Sequence, residues 1–299
     1  MKALSSILAA FLLTLALASR APSQQQVSPT TATHESSARP DIEALIQQSG
    51  GDVSVAFRSL DGGQELMIQA DRPFQDSLST KIPVMIELFA QANAQQLKLS
   101  DAVPVRNLFR SVADSSPYTI ENDAGDSLES DAGRLMTLGQ LCDAMIKTNS
   151  DIAANLLIER LTLEAIQNRI HTLGADGMIL ASGFGDVKAA DKGLRNVTTP
   201  RALMTILLAL AQNNVINTDV SAQMVGLLAN SRLPGSIIGM AVSPSVVESQ
   251  KTSPTGDEHD AAIIIGARSF VLVTDVRGIS PGASAALVAR ISHALAAAI

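Results

Sequence analysis

From Leu78 to Asn93 the chain leaves a helix almost no polar face. Ile82, Val84, Met85, Ile86, Leu88 and Phe89 fall on every side of a helical turn, and a helix apolar nearly all round runs through a core. Whatever this chain folds into must therefore wrap other elements around that segment. Lys81 stands near its start, followed directly by Ile82-Pro83-Val84.

The flanks supply the wrapping. Residues 41–49 read as a short helix, and the alternating runs 53–60 and 64–70 flank Asp61-Gly62-Gly63, a hairpin signal. Two helices are expected at 137–147 and 151–161, the second capped at Ser150/Asp151, and Thr199-Pro200 opens another with a capping hydroxyl and a first-turn proline. Residues 246–252, 261–265 and 270–275 read as strands, the last two joined by Gly266-Ala267-Arg268, and Ser280-Pro281 caps a helix to the end. Strands at both chain ends with helices between them predict an α/β fold of the α+β type. Its mixed antiparallel five-stranded sheet is formed by both ends, with a helical region inserted.

The first 18 residues read as a signal peptide, with Lys2, an apolar stretch from Leu4 to Ala18 and a small-x-small site at Ala16-Leu17-Ala18. That stretch is shorter than the roughly 20 residues of a membrane span, so no stable span is expected. Residues 19–40, rich in Pro, Ser, Thr and Gln, read as a disordered tether, and 41–299 as one compact domain. The expected location is periplasmic or secreted. A formal net charge of −7 with interspersed charges argues against a nucleic-acid face. Cys142 lies in an apolar pattern and reads as a buried small hydrophobe. The His residues (34, 171, 259, 293) show no paired-ligand spacing, so neither metal nor cofactor is expected.

Five short motifs then fall in one order. They are Lys81-Ile82-Pro83-Val84; Ser116-Pro117-Tyr118; Met145-Ile146 leading to Ala153-Ala154-Asn155-Leu156-Leu157; Asn196-Val197-Thr198-Thr199-Pro200; and Lys251-Thr252 before His259-Asp260. With them the chain resembles the class A β-lactamase-like serine hydrolases, relatives of the penicillin-binding transpeptidases, over the whole of 41–299. The resemblance implies a β-lactamase/transpeptidase-like fold and β-lactam hydrolysis through an acyl-serine intermediate.

The resemblance also implies which positions carry that chemistry, and several depart from the family. Three residues before Lys81, the retained general-base position, the nucleophile position holds Leu78. Ser77 shares the helical face of Lys81, but one residue's step turns its hydroxyl about 100° from that position; it reads first as a surface or capping Ser and second as a substitute nucleophile. The Ser-x-Asn motif reads Asn149-Ser150-Asp151, which sets a carboxylate near Lys81 and holds the lysine charged. An Asp151 oxygen is expected within about 4 Å of a lysine ammonium. Lys-Thr-Gly reads Lys251-Thr252-Ser253, and Pro254 follows, with no N–H for the anion cradle. Gly185 stands where a hydrolytic member keeps a Glu, and Asp186 is the nearest carboxylate. Asn149, Asp151, Lys251, Thr252 and Ser253 remain the expected binding residues.

A catalytically inactive envelope protein is the reading these departures favour, a binding or structural pseudoenzyme whose partner is a β-lactam, a peptidoglycan fragment or an envelope protein. A working serine hydrolase that uses Ser77 or another non-standard nucleophile is the alternative.

Overall fold

Strand alternation decides the layering of this chain. The computed structural model describes residues 33–120, 126, 128–230, 236–242, 246–252 as backbone, and 257–299. In chain order, β1 (His34–Glu35) leads to α1 (Arg39–Ser49), the hairpin β2 (Asp52–Ser59) and β3 (Gln64–Ile68), and α2 (Ser77–Asn93). The short strands β4 (Ala102–Pro104), β5 (Phe109–Arg110), β6 (Pro117–Tyr118) and β7 (Leu135–Thr137) follow. Next come α3 (Leu138–Lys147), α4 (Asp151–Leu161), α5 (Leu163–Thr172), α6 (Val187–Asp191), α7 (Pro200–Ala211), α8 (Thr218–Ala229) and α9 (Ile237–Val242). Strands β8 (Val246–Thr252), β9 (Glu258–Ile264) and β10 (Phe270–Arg277) precede α10 (Pro281–Ala298).

One sheet of six strands runs β1-β3-β2-β10-β9-β8. Five of them, β3-β2-β10-β9-β8, are the antiparallel array expected from the two chain ends. The sixth, β1, pairs in parallel with β3 through His34↔Gln64 and Glu35↔Glu65. That strand and the start of α1 lie in the stretch read as a tether. Two polar residues show no alternation from which a strand could be read. Residues 1–32, with the leader and the rest of that stretch, lie outside the described residues.

Successive side chains of a strand point to opposite faces, and here both faces are apolar. Val55, Phe57, Ala262, Ile264, Phe270 and Leu272 join a core with α1 and α10. Ala56, Ala261, Ile263, Val271 and Val273 join the larger core that contains α2, α3, α4 and α7. The result is helices, sheet, helices in three layers. The all-round apolar segment does run through the core, since every residue from Leu78 to Ala90 is buried. Its buried charges are paired, Glu87 with Arg169 at 2.9 Å and Lys81 with Asp151. Cys142 belongs to the same core, and burial pushes its thiol pKa well above the ordinary range.

The expected caps are in place. Ser150, Thr199 and Ser280 accept backbone N–H groups at the starts of α4, α7 and α10. Among the described residues no helix is long and apolar enough to cross a membrane. Ile291 of α10 is fully buried against the sheet. Ile291→Ala is expected to lower unfolding free energy in urea by about 2–5 kcal/mol; a loss below that range would mean α10 is not packed as described.

Candidate functional site

The start of α2 is built by one carboxylate. Asp76, in extended backbone at the cap position, accepts the N–H of Leu78 through Oδ1 at 3.2 Å and that of Ser79 through Oδ2 at 3.1 Å. The Ser79 hydroxyl also donates to Oδ2. The helix therefore begins at Ser77, one residue before the expected start. This phase directs the neighbours apart: Leu78 is buried at 2% exposure, whereas half-buried Ser77 lines a cleft of about 730 Å³. That volume falls within the range of small-molecule sites.

One turn further along α2, the fully buried Lys81 reaches the loop between α3 and α4. Its Nζ lies 2.6 Å from the carbonyl oxygen of Asn149, 2.7 Å from Asn149 Oδ1 and 2.5 Å from Asp151 Oδ1. The last distance is well inside the separation expected from sequence. Asn149 takes φ +57° to present both its oxygens, a left-handed conformation that Asn tolerates better than most residues. The Phe184 ring centroid lies 4.8 Å from Nζ, a cation–π approach. Three acceptors and a ring face suit an ammonium, which has three N–H bonds.

The Ser77 hydroxyl belongs to the same cluster. Its Oγ lies 3.3 Å from Asp151 Oδ1 and 3.4 Å from Asn149 Oδ1, so it turns towards oxygens already engaged by Lys81. Both are long for O–H···O bonds. The structure thus brings together Ser77, Lys81, Asn149 and Asp151 and turns Leu78 away from them.

The opposite wall is the 182–197 segment, held by a reciprocal amide clamp. Asn155 of α4 donates to the Phe184 carbonyl at 2.8 Å and accepts the Phe184 N–H at 2.7 Å. Its amide also donates to Tyr118 Oη at 3.2 Å. Burial, then the nearby Asp186 and Glu159 charges, pushes the Tyr118 hydroxyl pKa above its usual range. A Cβ at Gly183 would meet that Oη at 2.4 Å, so any larger residue would have to push the Tyr118 hydroxyl aside. Asp186, the nearest carboxylate to Gly185, is buried and fully employed by Ser111 Oγ at 2.8 Å, Val112 N at 3.0 Å and Ala189 N at 3.1 Å. It fastens loops and directs no oxygen at Lys81.

The far rim holds a charge cluster on β9 and β10. His259 stacks on Phe74 with centroids 4.7 Å apart, and its Nδ1 lies 2.8 Å from Asp275 Oδ1. Asp275, fully buried, also meets Arg277 at 2.8 Å and Arg72 at 3.1 Å. Burial opposes its ionisation, but the His259 and Arg277 contacts outweigh burial and hold its carboxyl below the usual range.

Lys251 and Thr252 end β8, where the register pairs them with His259 and Glu258. Their side chains, with Ser253 and Pro254, lie outside the described residues. Asp76 and Phe184 contribute to the site without having been singled out from sequence. Asp76 had a readable signal, an Asp immediately before an apolar helical run; the contact of Phe184 with Lys81 had none, because it joins residues 103 positions apart in a loop and a helix.

Residues 37–299 match the sequence profile of the Beta-lactamase enzyme family. A β-lactamase of Rhodobacter capsulatus is 27% identical over 215 residues, spanning 71% of this chain and 67% of that protein. The Escherichia coli β-lactamase CTX-M-25 is 26% identical over 239 residues, 78% of each chain. Among solved structures, a β-lactamase from Sphaerobacter thermophilus matches with a TM-score of 0.70 and 22% identity, over 86% of this chain and 94% of that one. A PBP-A variant described as an acyl-enzyme complex with penicillin G matches with a TM-score of 0.69 and 15% identity, over 87% and 95%. The fold is that of β-lactamases and penicillin-binding proteins.

Removing the half-buried carboxylate that faces the fully buried Lys81 is costly because the lysine's charge stays behind. Asp151→Leu is expected to lower stability in urea by about 3–5 kcal/mol, and adding Lys81→Met to recover most of it. A single-variant loss below about 1 kcal/mol would place the pair among exposed ones and undo the electrostatic description.

Proposed function

We propose that this chain, which belongs to the β-lactamase enzyme family, is an exported domain that keeps the family's cleft for binding and has lost its acyl-transfer chemistry. The family's reaction is β-lactam hydrolysis. It needs an attacking oxygen, a base to take that oxygen's proton and donors for the negative charge that develops. The observation that carries the proposal is at position 78, where a buried Leu replaces the hydroxyl.

The surroundings support it. Lys81 is ringed by acceptors, as an ammonium requires, and an ammonium takes up no proton. Pro254 has no N–H to give to an oxyanion, and losing one such donor costs about 2.7–4 kcal/mol of transition-state stabilisation. The 182–186 segment offers no carboxylate free to activate a deacylating water. What remains is a walled cleft with hydroxyl, amide and carboxylate groups in its lining, among them Ser77, Asn196 and Asp257, suited to holding a peptidoglycan fragment or a β-lactam without cleaving it. The leader-like first 18 residues support a periplasmic or secreted location.

A second reading has one observation in its favour: Ser77 brings a hydroxyl to the cleft. Intact-mass measurement after incubation with benzylpenicillin separates the two. No covalent adduct is expected on the natural protein, and Leu78→Ser alone is expected to acylate slowly at best. An adduct on the natural protein that disappears in Ser77→Ala would overturn the proposal and establish Ser77 as nucleophile.

A further inference from the structure

We infer that His259 is a specificity-determining residue of the cleft, whose imidazole takes up a proton together with a ligand carboxylate, so that anionic ligands are held more tightly as pH falls. The inference rests on the reading of a cleft that binds without acylating, and adds to it the charge of the ligand and what regulates its binding. His259 is 7% exposed and lines the same cleft as Ser77 and Phe184. The protein fixes its ring from two directions. It stacks on Phe74 with centroids 4.7 Å apart, and its Nδ1 lies 2.8 Å from Asp275 Oδ1, a charge contact rather than an aligned hydrogen bond. The other ring nitrogen, Nε2, has no hydrogen-bond partner among the described residues, yet it is not sealed from solvent. A nearly buried polar atom left open at a cleft wall is a place for a ligand atom.

The surrounding charges decide which ligand atom that is. Asp275 on β10 meets Arg277 at 2.8 Å and Arg72 at 3.1 Å, and Arg72 also pairs with Asp52. These carboxylates and guanidiniums balance before His259 is counted, so a proton on its ring adds net positive charge to the wall. Arg277 and Arg195 line the cleft as well, and Asp76, Asp186 and Asp257 are its carboxylates. Glu258 and Asp260 flank His259 on β9, but successive side chains of a strand point to opposite faces, and Asp260 turns to the Ile238 N–H at 2.9 Å. Lys251 is the register partner of His259 on β8. A proton on the ring strengthens its hold on an anion, and by reciprocity the anion favours the proton. A neutral ligand gains nothing from it.

The test uses the full-length protein, with benzylpenicillin as the anionic probe and its methyl ester as the neutral one. Titration calorimetry gives the Kd of each at about pH 8 and about pH 5.5, a window that an imidazole spans and that lies above the ordinary carboxylate range. Benzylpenicillin is expected to bind about tenfold more tightly at the lower pH, and the ester equally at both. In His259→Gln, with thermal melting confirming the fold, the pH dependence is expected to vanish. If that variant does not fold, the assigned His259 ring resonance of the natural protein decides the matter: benzylpenicillin is expected to raise its titration midpoint by about one pH unit, and the ester to leave it in place. No binding of benzylpenicillin, equal binding at the two pH values, a pH dependence that survives in His259→Gln, or a midpoint that benzylpenicillin does not move would overturn the inference. Intact mass on the same samples keeps the two failures apart. A covalent adduct brings down the binding reading and the inference with it, whereas any of those outcomes without an adduct brings down the inference alone.

Discussion

A buried ammonium must be surrounded by acceptors, and much of the cleft follows from how this chain surrounds Lys81. The lysine sits in the first turns of a helix whose residues from Leu78 to Ala90 are all buried, so bulk solvent does not reach it. Asn149 of the α3–α4 loop and Asp151 at the start of α4 supply three oxygens instead. Meeting that need sets Asn149 in a left-handed conformation, brings Asp151 against Lys81 and Ser77, and sets the Phe184 ring over the lysine nitrogen. An amine bound in this way has the surroundings of an ammonium. The carboxylate at 151 and the apolar side chain at 78 both bear on the proposed loss of acyl transfer, the first by engaging Lys81 and the second by offering no attacking oxygen.

The walls show the same division of labour. Asn155 and Asp186 spend their hydrogen-bonding capacity on fastening the 182–197 segment to α4 and to the loop after β5. The Asp275 cluster ties β9 and β10 to the segment before α2 through Arg72, with Arg277 donating to the Pro73 carbonyl. These contacts hold the cleft in shape and involve none of Ser77, Leu78 or Lys81.

Much of this was legible in the sequence because it rests on local rules. The all-round apolar run gave the central helix, alternation gave five strands of the sheet, and Ser150, Thr199 and Ser280 read as caps. The approach of Asp151 to Lys81 followed from motif spacing together with the resemblance. Other features depended on tertiary geometry. The exit of Ser77 into the cleft depends on the helix starting one residue early, which Asp76 decides; the Asp was readable as a cap, but its second oxygen's reach and its place in the cleft were not. Strand β1 was hidden because two polar residues hold their place by pairing with β3, a contact that leaves no periodicity.

The proton count on Lys81 is the central quantity, since the charge description rests on it and the proposed loss of acyl transfer draws on it. Neutron diffraction from deuterated crystals at neutral pH measures it directly. Three deuterons on Nζ, directed at the Asn149 carbonyl, Asn149 Oδ1 and Asp151 Oδ1, are the expected result. Two deuterons with the lone pair facing Ser77 Oγ would contradict the account.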